Sequence, residues 1–344
     1  MLQRTLSAWR KSRVARAKEG HEELQEVLAK MRKLGQRGET LEQFKESPLV
    51  SKLRSPVQYH GLGNMIYSNA GDNDEEVQKA LYVWKMAMEQ GSDKAKYSYA
   101  LCMKKGTGFM KKDAMGATRL FKELAASGHG WGTFAYADAL YNGEGTRKNE
   151  KKAFELYKKC AEVGIPPAYM NVCNMYTYGT GTEKRFLSEE NELINVCVAQ
   201  NEVEALKWLT KAAEAGDPSA KARLGEYYLH GKGGVQKDLN RAIQYWKVAA
   251  SAGITMAQYN LGHLYLTGDG VPQDSLQAEA LFSKAAEKGF VMAMVNLAQM
   301  YRYGYGKVPK DLERARKWLK LAAPHDPNAK ELLKVLTEPI AAKK

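Results

Sequence analysis

The chain of 344 residues contains 52 Lys and Arg against 39 Asp and Glu, a net charge of +13, and 44% of its residues are apolar. This length suits two ordinary domains or one elongated array, and the apolar share is sufficient for a packed interior. No uncharged stretch of about 18 residues occurs, which predicts no membrane span, and 4 Cys with 30 Gly against 10 Pro exclude disulfide-dense and collagenous chains.

The first 18 residues, MLQRTLSAWRKSRVARAK, carry six basic side chains and no acidic one. Leu2, Leu6 and Trp9 would share one face of a helix. An Arg-rich, Ser-containing and acid-free N-terminus is typical of a mitochondrial transit peptide. We therefore predict a targeting segment over residues 1–18 and a mitochondrial location, with a cytoplasmic location as the alternative. A solvated basic tail, or an arm that lies on nucleic acid or an acidic partner, are the other interpretations.

Residues 19–61 are predicted to form a helical extension and linker. A helix over His21–Leu34 places an apolar stripe on one face, with acidic residues early and basic residues late, as the helix dipole favours. Pro48 and Pro56 are predicted to interrupt the chain after it. The stripe consists of Leu24, Val27, Leu28, Met31 and Leu34.

Two markers then repeat in one register. The first is a glycine that follows a small residue by eleven positions, and its copies are 37, 36, 52, 37 and 36 residues apart. The second is a Gly-x-Gly pair with the same separations. Coincidence of two independent markers indicates an internal repeat. The terminal glycines are Gly91, Gly128, Gly164, Gly216, Gly253 and Gly289, and the pairs start at Gly106, Gly143, Gly179, Gly231, Gly268 and Gly304.

Each repeat is predicted to contain two helices. In the stretch Ala257–Gly289, apolar residues spaced by three and four positions predict a first helix that Gly268 ends. An Asp or Asn stands four residues before the marker Ala in every repeat from the second onward, which predicts an N-cap for the second helix. The terminal Gly supplies its left-handed end. These capping residues are Asp113, Asn149, Asn201, Asp238, Asp274 and Asp311.

The repeats fill residues 62–326, with a C-terminal cap and tail over 327–344. The fourth repeat is 15 or 16 residues too long, which places an insertion at about 182–200. The insertion is either a loop on a binding face or a backward extension of the second helix. The predicted repeats are approximately 62–91, 92–128, 129–164, 165–216, 217–253, 254–289 and 290–326.

The pattern resembles the Sel1-like repeat family, relatives of the tetratricopeptide repeats. The resemblance rests on the Ala-x3-Leu-Gly-x2-Tyr start at Ala220 and Ala257, the Gly-x-Gly loop, the Asp or Asn cap, and the Ala-Ala-Glu-x-Gly end at Ala212 and Ala285. It implies an all-α fold, a right-handed α-solenoid of about seven helix-turn-helix repeats with an N-terminal helical extension and a C-terminal capping helix.

The residues offer no catalytic constellation. The six His are scattered over different repeats, and Cys102, Cys160, Cys173 and Cys197 form no C-x2-C pair, so neither a zinc site nor another metal site is predicted. We expect no cofactor and no small-molecule substrate, and hence no enzyme. Some relatives with a disulfide in every repeat are of a β-lactam-binding kind, but that regular cysteine pattern is absent here.

Two surfaces are candidate binding sites. Polar residues beside the core stripe of the first helices would line the concave face of a solenoid, where amide groups can hold an extended peptide; a merely solvated helix face is the alternative. Basic residues cluster in two adjacent repeats and would suit phosphates or an acidic partner, or they are solvated loop residues. The concave-face candidates are Asn171, Asn174, Arg223, Glu226, Asn260, His263, Asn296 and Gln299, and the basic-patch candidates are Lys104, Lys105, Lys111, Lys112, Arg147, Lys148, Lys151 and Lys152.

These features predict a non-catalytic scaffold or assembly subunit that holds other proteins within a large mitochondrial complex, such as a respiratory complex or the mitochondrial ribosome. The alternative is an RNA-contacting subunit of the mitochondrial ribosome or of an RNA-processing complex. In that case the basic N-terminal region would touch phosphates.

Overall fold

A computed structural model describes residues 40–179 and 200–337 of the chain. Within these residues the fold is an all-α solenoid of helix pairs. The predicted targeting segment, the helix predicted over His21–Leu34 and nearly all of the predicted insertion lie outside the described residues. None of the described helices is long and apolar enough to cross a membrane. The chain divides into a first unit that ends at Ile165 and a second that begins at Pro166.

The first unit contains two short helices and three helix pairs. Pro48 and Pro56, predicted to interrupt the chain, each stand at the start of a helix, where a missing N–H leaves no hydrogen bond unmade. The short helices are α1 (Leu41–Lys45) and α2 (Pro48–Ser51). The pairs are α3 (Pro56–Ala70) with α4 (Asp74–Glu89), α5 (Asp93–Lys105) with α6 (Ala114–Ala126), and α7 (Gly130–Asn142) with α8 (Glu150–Glu162).

The second unit contains four pairs and a last helix, which packs against the helix before it. In both units we call the first helix of a pair the A helix and the second the B helix. The pairs are α9 (Pro166–Tyr178) with α10 (Glu202–Glu214), α11 (Pro218–His230) with α12 (Leu239–Ser251), α13 (Thr255–Thr267) with α14 (Ser275–Glu287), and α15 (Val291–Tyr303) with α16 (Leu312–Ala322). The last helix is α17 (Pro327–Thr337).

All six predicted Asp and Asn caps begin a B helix, because each side-chain oxygen accepts a hydrogen bond from an N–H of the first turn. In α14, Asp274 Oδ1 accepts from the N–H groups of Leu276 and Gln277, both at 3.1 Å. The N–H of Asp274 donates in turn to the carbonyl of Tyr265 on the A helix, at 2.8 Å. The same bond recurs in the other five repeats, so one residue both starts the B helix and ties it to the A helix.

The cap at Asn201 also tests the interpretation that the insertion extends the second helix of its repeat backward. Asn201 has φ −147° and ψ 95°, an extended conformation, and its side chain accepts from the N–H of Glu204. The B helix α10 therefore starts at Glu202. The interpretation that the insertion extends this helix backward is wrong, because the capped residue breaks helical geometry.

The B helices end at the predicted glycines. Gly289 has φ +86°, its N–H donates to the carbonyl of Ala286 at 2.9 Å, and the N–H of Phe290 donates to the carbonyl of Ala285 at 3.1 Å. This pair of bonds satisfies the last carbonyls of the helix and turns the chain into the next A helix.

Wherever the structure describes both glycines of a Gly-x-Gly pair, the second one packs on the B helix of the preceding repeat. A Cβ added to Gly108 would lie 2.7 Å from Val77 Cγ1, and one added to Gly270 would lie 2.8 Å from both Ile243 Cδ1 and Leu239 Cδ2. These contacts join one repeat to the next, and only a residue without a side chain allows them.

Glycines within the A helices face the largest core side chains. A Cβ on Gly63 or Gly225 would overlap the indole of Trp84 or Trp246, and a Cβ on Gly262 would lie 3.0 Å from the ring of Phe282. Small residues therefore face large ones across each of these pairs, and the two backbones approach closely.

Candidate functional site

The A helices of the second unit present the row of polar side chains that the sequence predicts, which we call the A-helix strip. It consists of Asn171 and Asn174 on α9, Arg223 and Glu226 on α11, Asn260 and His263 on α13, and Asn296 and Gln299 on α15. His263 and Gln299 are exposed, and the others are partly buried. The strip repeats because each repeat places the same two positions beside the core stripe of its A helix.

One contact closes part of the strip. The Arg223 guanidinium donates to Asn174 Oδ1 and, at 3.2 Å, to Thr177 Oγ1, so it links α11 to α9. Asn174 and Thr177 are 49 and 46 residues away from Arg223 in sequence. At this point the strip satisfies its own hydrogen-bonding groups, and Arg223 acts as a tie between neighbouring repeats.

The remaining amides of the strip are open. Within the described residues, the side chains of Asn171, Asn260, Asn296 and Gln299 make no hydrogen bond, and Glu226 makes no ion pair. Each amide offers two N–H donors and one carbonyl acceptor. Together they can pair with the N–H and C=O groups of a peptide that runs across successive A helices.

In the first unit the corresponding position holds Asp138, which the sequence prediction missed although it stands 36 residues before Asn174. Asp138 Oδ1 accepts from the Tyr157 hydroxyl at 2.5 Å. Burial raises the pKa of Asp138, although the Tyr157 hydrogen bond opposes that shift. Asn64 stands at the same repeat position two repeats before Asp138, and its side-chain oxygen accepts from the Trp84 indole N–H at 3.2 Å. In these two repeats the position is therefore occupied by contacts within the pair.

The predicted basic patch lies in the first unit, and the structure brings its two loops together. Glu144 pairs with Lys104 at 3.0 Å and with Lys112 at 3.3 Å, which lowers the pKa of its carboxyl group. Its backbone carbonyl accepts from Thr118 Oγ1 at 3.0 Å. These bonds hold the loop after α7 against the loop between α5 and α6.

Only part of the basic charge is paired. Lys148 forms an ion pair with Glu150 at 2.5 Å, while Lys111, Arg147 and Lys151 are exposed and form no ion pair with any described residue. Lys105 is exposed as well and, like Lys152, forms no ion pair there. The patch therefore keeps free cationic groups that can meet an anionic partner.

The described cysteines and histidines serve the core and the helix ends. Cys102, Cys160 and Cys173 are buried free thiols, and burial raises the pKa of each, to about 11 for Cys160. His129 caps α7, because its Nδ1 accepts from the N–H of Gly132 at 3.0 Å. Among residues 40–179 and 200–337, no three His, Cys, Asp or Glu residues lie close enough to hold a metal ion.

Comparison with known families gives a match over most of the chain. The model of the Sel1 repeat matches residues 93–129, 132–164, 166–185, 195–217, 218–254, 255–290 and 291–323. The third and fourth segments overlap the two ends of the predicted insertion and leave residues 186–194 between them unmatched. The repeat predicted over 62–91 lies before the first matched segment.

Two solved structures are similar in fold. A Sel1 repeat protein from Oxalobacter formigenes is 29% identical, with a TM-score of 0.64, and the match covers 77% of this chain and 99% of that one. The protective antigen c5321 of uropathogenic Escherichia coli is 24% identical, with a TM-score of 0.69, and the match covers 86% of this chain and 59% of that one. The second likeness shows the fold alone.

Two curated proteins are also similar. Chitin synthase regulatory factor 3 of Schizosaccharomyces pombe is 28% identical over 252 residues, which is 65% of this chain and 27% of that protein. The uncharacterized protein NMB1327 of Neisseria meningitidis is 26% identical over 167 residues, 44% of this chain and 36% of that protein. The chain thus spans about a third or less of the length of these relatives.

Proposed function

Because the chain belongs to the Sel1-repeat family, whose members are protein-interaction scaffolds, we propose that it is a non-catalytic scaffold whose A-helix strip binds an extended segment of a partner protein. The observation that carries the proposal is the row of open polar side chains on the A helices of the second unit, with amides on α9, α13 and α15 and the carboxylate of Glu226 on α11. Asn171, Asn260 and Asn296 are partly buried and without a partner among the described residues, so they gain most from a peptide backbone that satisfies them.

The spacing of the strip suits an extended chain. Neighbouring packed helices lie about 8–10 Å apart, and an extended peptide advances about 3.3 Å per residue. Each A helix would therefore meet every third residue of the peptide. Backbone pairing alone would leave the side chains of the partner free to differ, and the neighbouring Glu226 and His263 would then select among partners.

We assign the scaffold to a large complex of the mitochondrion, such as a respiratory complex or the mitochondrial ribosome. The support for this assignment is the composition of residues 1–18, which is Arg-rich and free of acidic residues. Residues 1–40 fused to a fluorescent reporter should carry it into mitochondria. A reporter that stays in the cytosol would remove the assignment and leave the scaffold itself untouched.

The strip is tested by the variant with Asn260→Ala and Asn296→Ala. Loss of two amide pairs should weaken partner binding by about tenfold or more, since each hydrogen bond contributes about 1 kcal/mol. The matched control is Asn240→Ala on α12, an exposed Asn outside the strip. Tagged full-length chains are purified from cells, and co-purified proteins are quantified by mass spectrometry.

Partners retained by the wild type and the control but lost by the double variant would support the strip. Equal recovery by all three chains would place the binding surface elsewhere. If the wild type retains no partner at moderate salt, the scaffold proposal itself fails.

A further inference from the structure

An exposed phenylalanine stands in a backbone conformation that side chains disfavour. Phe109 has φ +59°, the one non-glycine residue with positive φ among residues 40–179 and 200–337, and its side chain is 69% exposed. It lies in a turn that the Met110 N–H closes on the Thr107 carbonyl at 3.4 Å. Gly108, the other central residue, has φ +69°, so both central residues are left-handed, as in a type I′ turn.

The second unit contains the same turn with glycine in that place. The Val235 N–H bonds to the Lys232 carbonyl at 3.4 Å, and the central residues Gly233 and Gly234 have φ +66° and +87°. Phe109 therefore occupies a left-handed position that the matched turn of the second unit fills with Gly234. Backbone strain of this kind is often retained at functional sites.

The neighbours of Phe109 prevent it from turning inward. Gly108 packs against Val77 and Leu81, and its N–H donates to Asp74 Oδ1 at 2.9 Å. Met110 packs against the core of the first unit. With both flanking residues held by the core, the aromatic ring between them projects into solvent. Met115 stands six residues after Phe109, in the first turn of α6, and is 74% exposed.

The two loops at this apolar projection are rich in basic residues. Residues 104–115 and 143–152, whose loops Glu144 holds together, contain eight basic and three acidic side chains, a net charge of +5. We define the Phe109 patch as the exposed apolar residues Phe109 and Met115 together with Lys105, Lys111, Arg147 and Lys151, which are exposed and form no ion pair with any described residue.

We propose that the Phe109 patch binds the surface of an anionic lipid bilayer, with Phe109 and Met115 inserted among the headgroups and the basic side chains paired with lipid phosphates. Seven of the eight basic residues in these stretches are lysines. Lysine is depleted in protein–protein interfaces, whereas clusters of Lys and Arg beside exposed apolar side chains are typical of peripheral membrane contacts. A projecting aromatic ring suits insertion into the headgroup region of a bilayer. The Phe109 patch shares no residue with the A-helix strip.

The test is co-sedimentation of the full chain with phosphatidylcholine vesicles, with and without phosphatidylglycerol. We expect binding only to the anionic vesicles. Phe109→Gly should weaken binding by about tenfold through loss of the inserted apolar ring. The double variant Lys105→Gln with Lys111→Gln should weaken it by about 25-fold, since each basic residue contributes about fivefold near an anionic surface. Phe109→Trp should retain binding, and its indole emission should shift to the blue when vesicles are added.

Two controls separate the patch from other causes of binding. Lys232→Gln with Lys237→Gln removes two exposed lysines from the matched loop of the second unit and should leave binding unchanged. Phe109→Gly should unfold at the same or a higher temperature than the wild type, because glycine suits this turn, so its weaker binding cannot reflect misfolding. Since residues 1–18 are also basic, the decisive quantity is the difference between the variants and the wild type in the full chain.

Three outcomes would overturn the proposal. The first is no binding of the wild type to anionic vesicles, and the second is equal binding of wild type and Phe109→Gly. The third is displacement from vesicles by single-stranded RNA or polyglutamate, with tighter binding to that polymer and the same dependence on Phe109. It would reassign the patch to nucleic acid or to an acidic protein.

Discussion

Replacing Gly225 by alanine is expected to destabilise the protein, although alanine is the better helix former. An added Cβ would overlap the indole of Trp246, lying 2.6 Å from Cδ1 and 2.8 Å from Cε2. Trp246 is 1% exposed and cannot move aside, and its Nε1–H donates to the Ala222 carbonyl at 3.0 Å. Steric overlap in a packed core therefore displaces both the ring and its hydrogen bond.

The magnitude follows from three contributions. Overpacking costs about 1–3 kcal/mol, and weakening of the buried hydrogen bond costs about 1 kcal/mol. The higher helix propensity of alanine stabilises the folded state by about 1 kcal/mol and offsets part of this loss. The free energy of unfolding should thus fall by about 2 kcal/mol, measured by urea denaturation followed by circular dichroism.

A double-mutant cycle tests the reasoning. Two repeats further on, Ala298 stands at the position of Gly225 and Leu319 at the position of Trp246, and both are buried. In the Trp246→Leu background, Gly225→Ala should therefore be neutral or stabilising by up to about 1 kcal/mol. The coupling free energy between the two sites should be about 2 kcal/mol. An equal loss in both backgrounds would show that the indole is not the cause.

Three further outcomes are expected, all measured by urea denaturation. Asp238→Ala should lower the free energy of unfolding by about 1 kcal/mol through loss of the α12 cap, and Asp238→Asn should restore most of it. Asp138→Asn should stabilise the protein at neutral pH, because burial raises the pKa of Asp138 and penalises its charge in the folded state. This gain should vanish as the pH falls through that raised pKa and then below the ordinary value of 3.8, where both folded and unfolded chains are protonated. Burial lowers the pKa of His129 from its ordinary value of 6.5, so the free energy of unfolding should fall as the pH drops below 6.5. His129→Asn should remove that pH dependence while keeping the helix cap. An unchanged pH profile in this variant would contradict the reasoning.

Local features of the fold could be predicted from the sequence. A cap such as Asp274 binds N–H groups two and three residues away, and the left-handed end at Gly289 depends on bonds within five residues. The same capping and glycine motifs recur in the same order in successive repeats, so their combined evidence for the fold is stronger than that of any single motif. The family followed from the same motifs, and the family match confirms it.

Features that join distant residues were decided by the tertiary structure. Arg223 and Asn174 are both predicted as ligand-binding residues, but their mutual hydrogen bond occupies them, because packing brings α11 beside α9. Glu144 binds Lys104 and Lys112 only because one repeat loop docks on the next. Neither contact follows from sequence spacing.

The sequence by itself determined the all-α repeat, its helix caps and its glycine turns, since those depend on residues within one turn or one loop. Only the tertiary structure decided which polar groups stay open and which satisfy one another. It also showed that Phe109 points outward, because the contacts of Gly108 with Val77 and of Met110 with the core hold the turn from both sides. Exposure depends on every neighbour in space, whereas a repeat motif depends on a few neighbours along the chain.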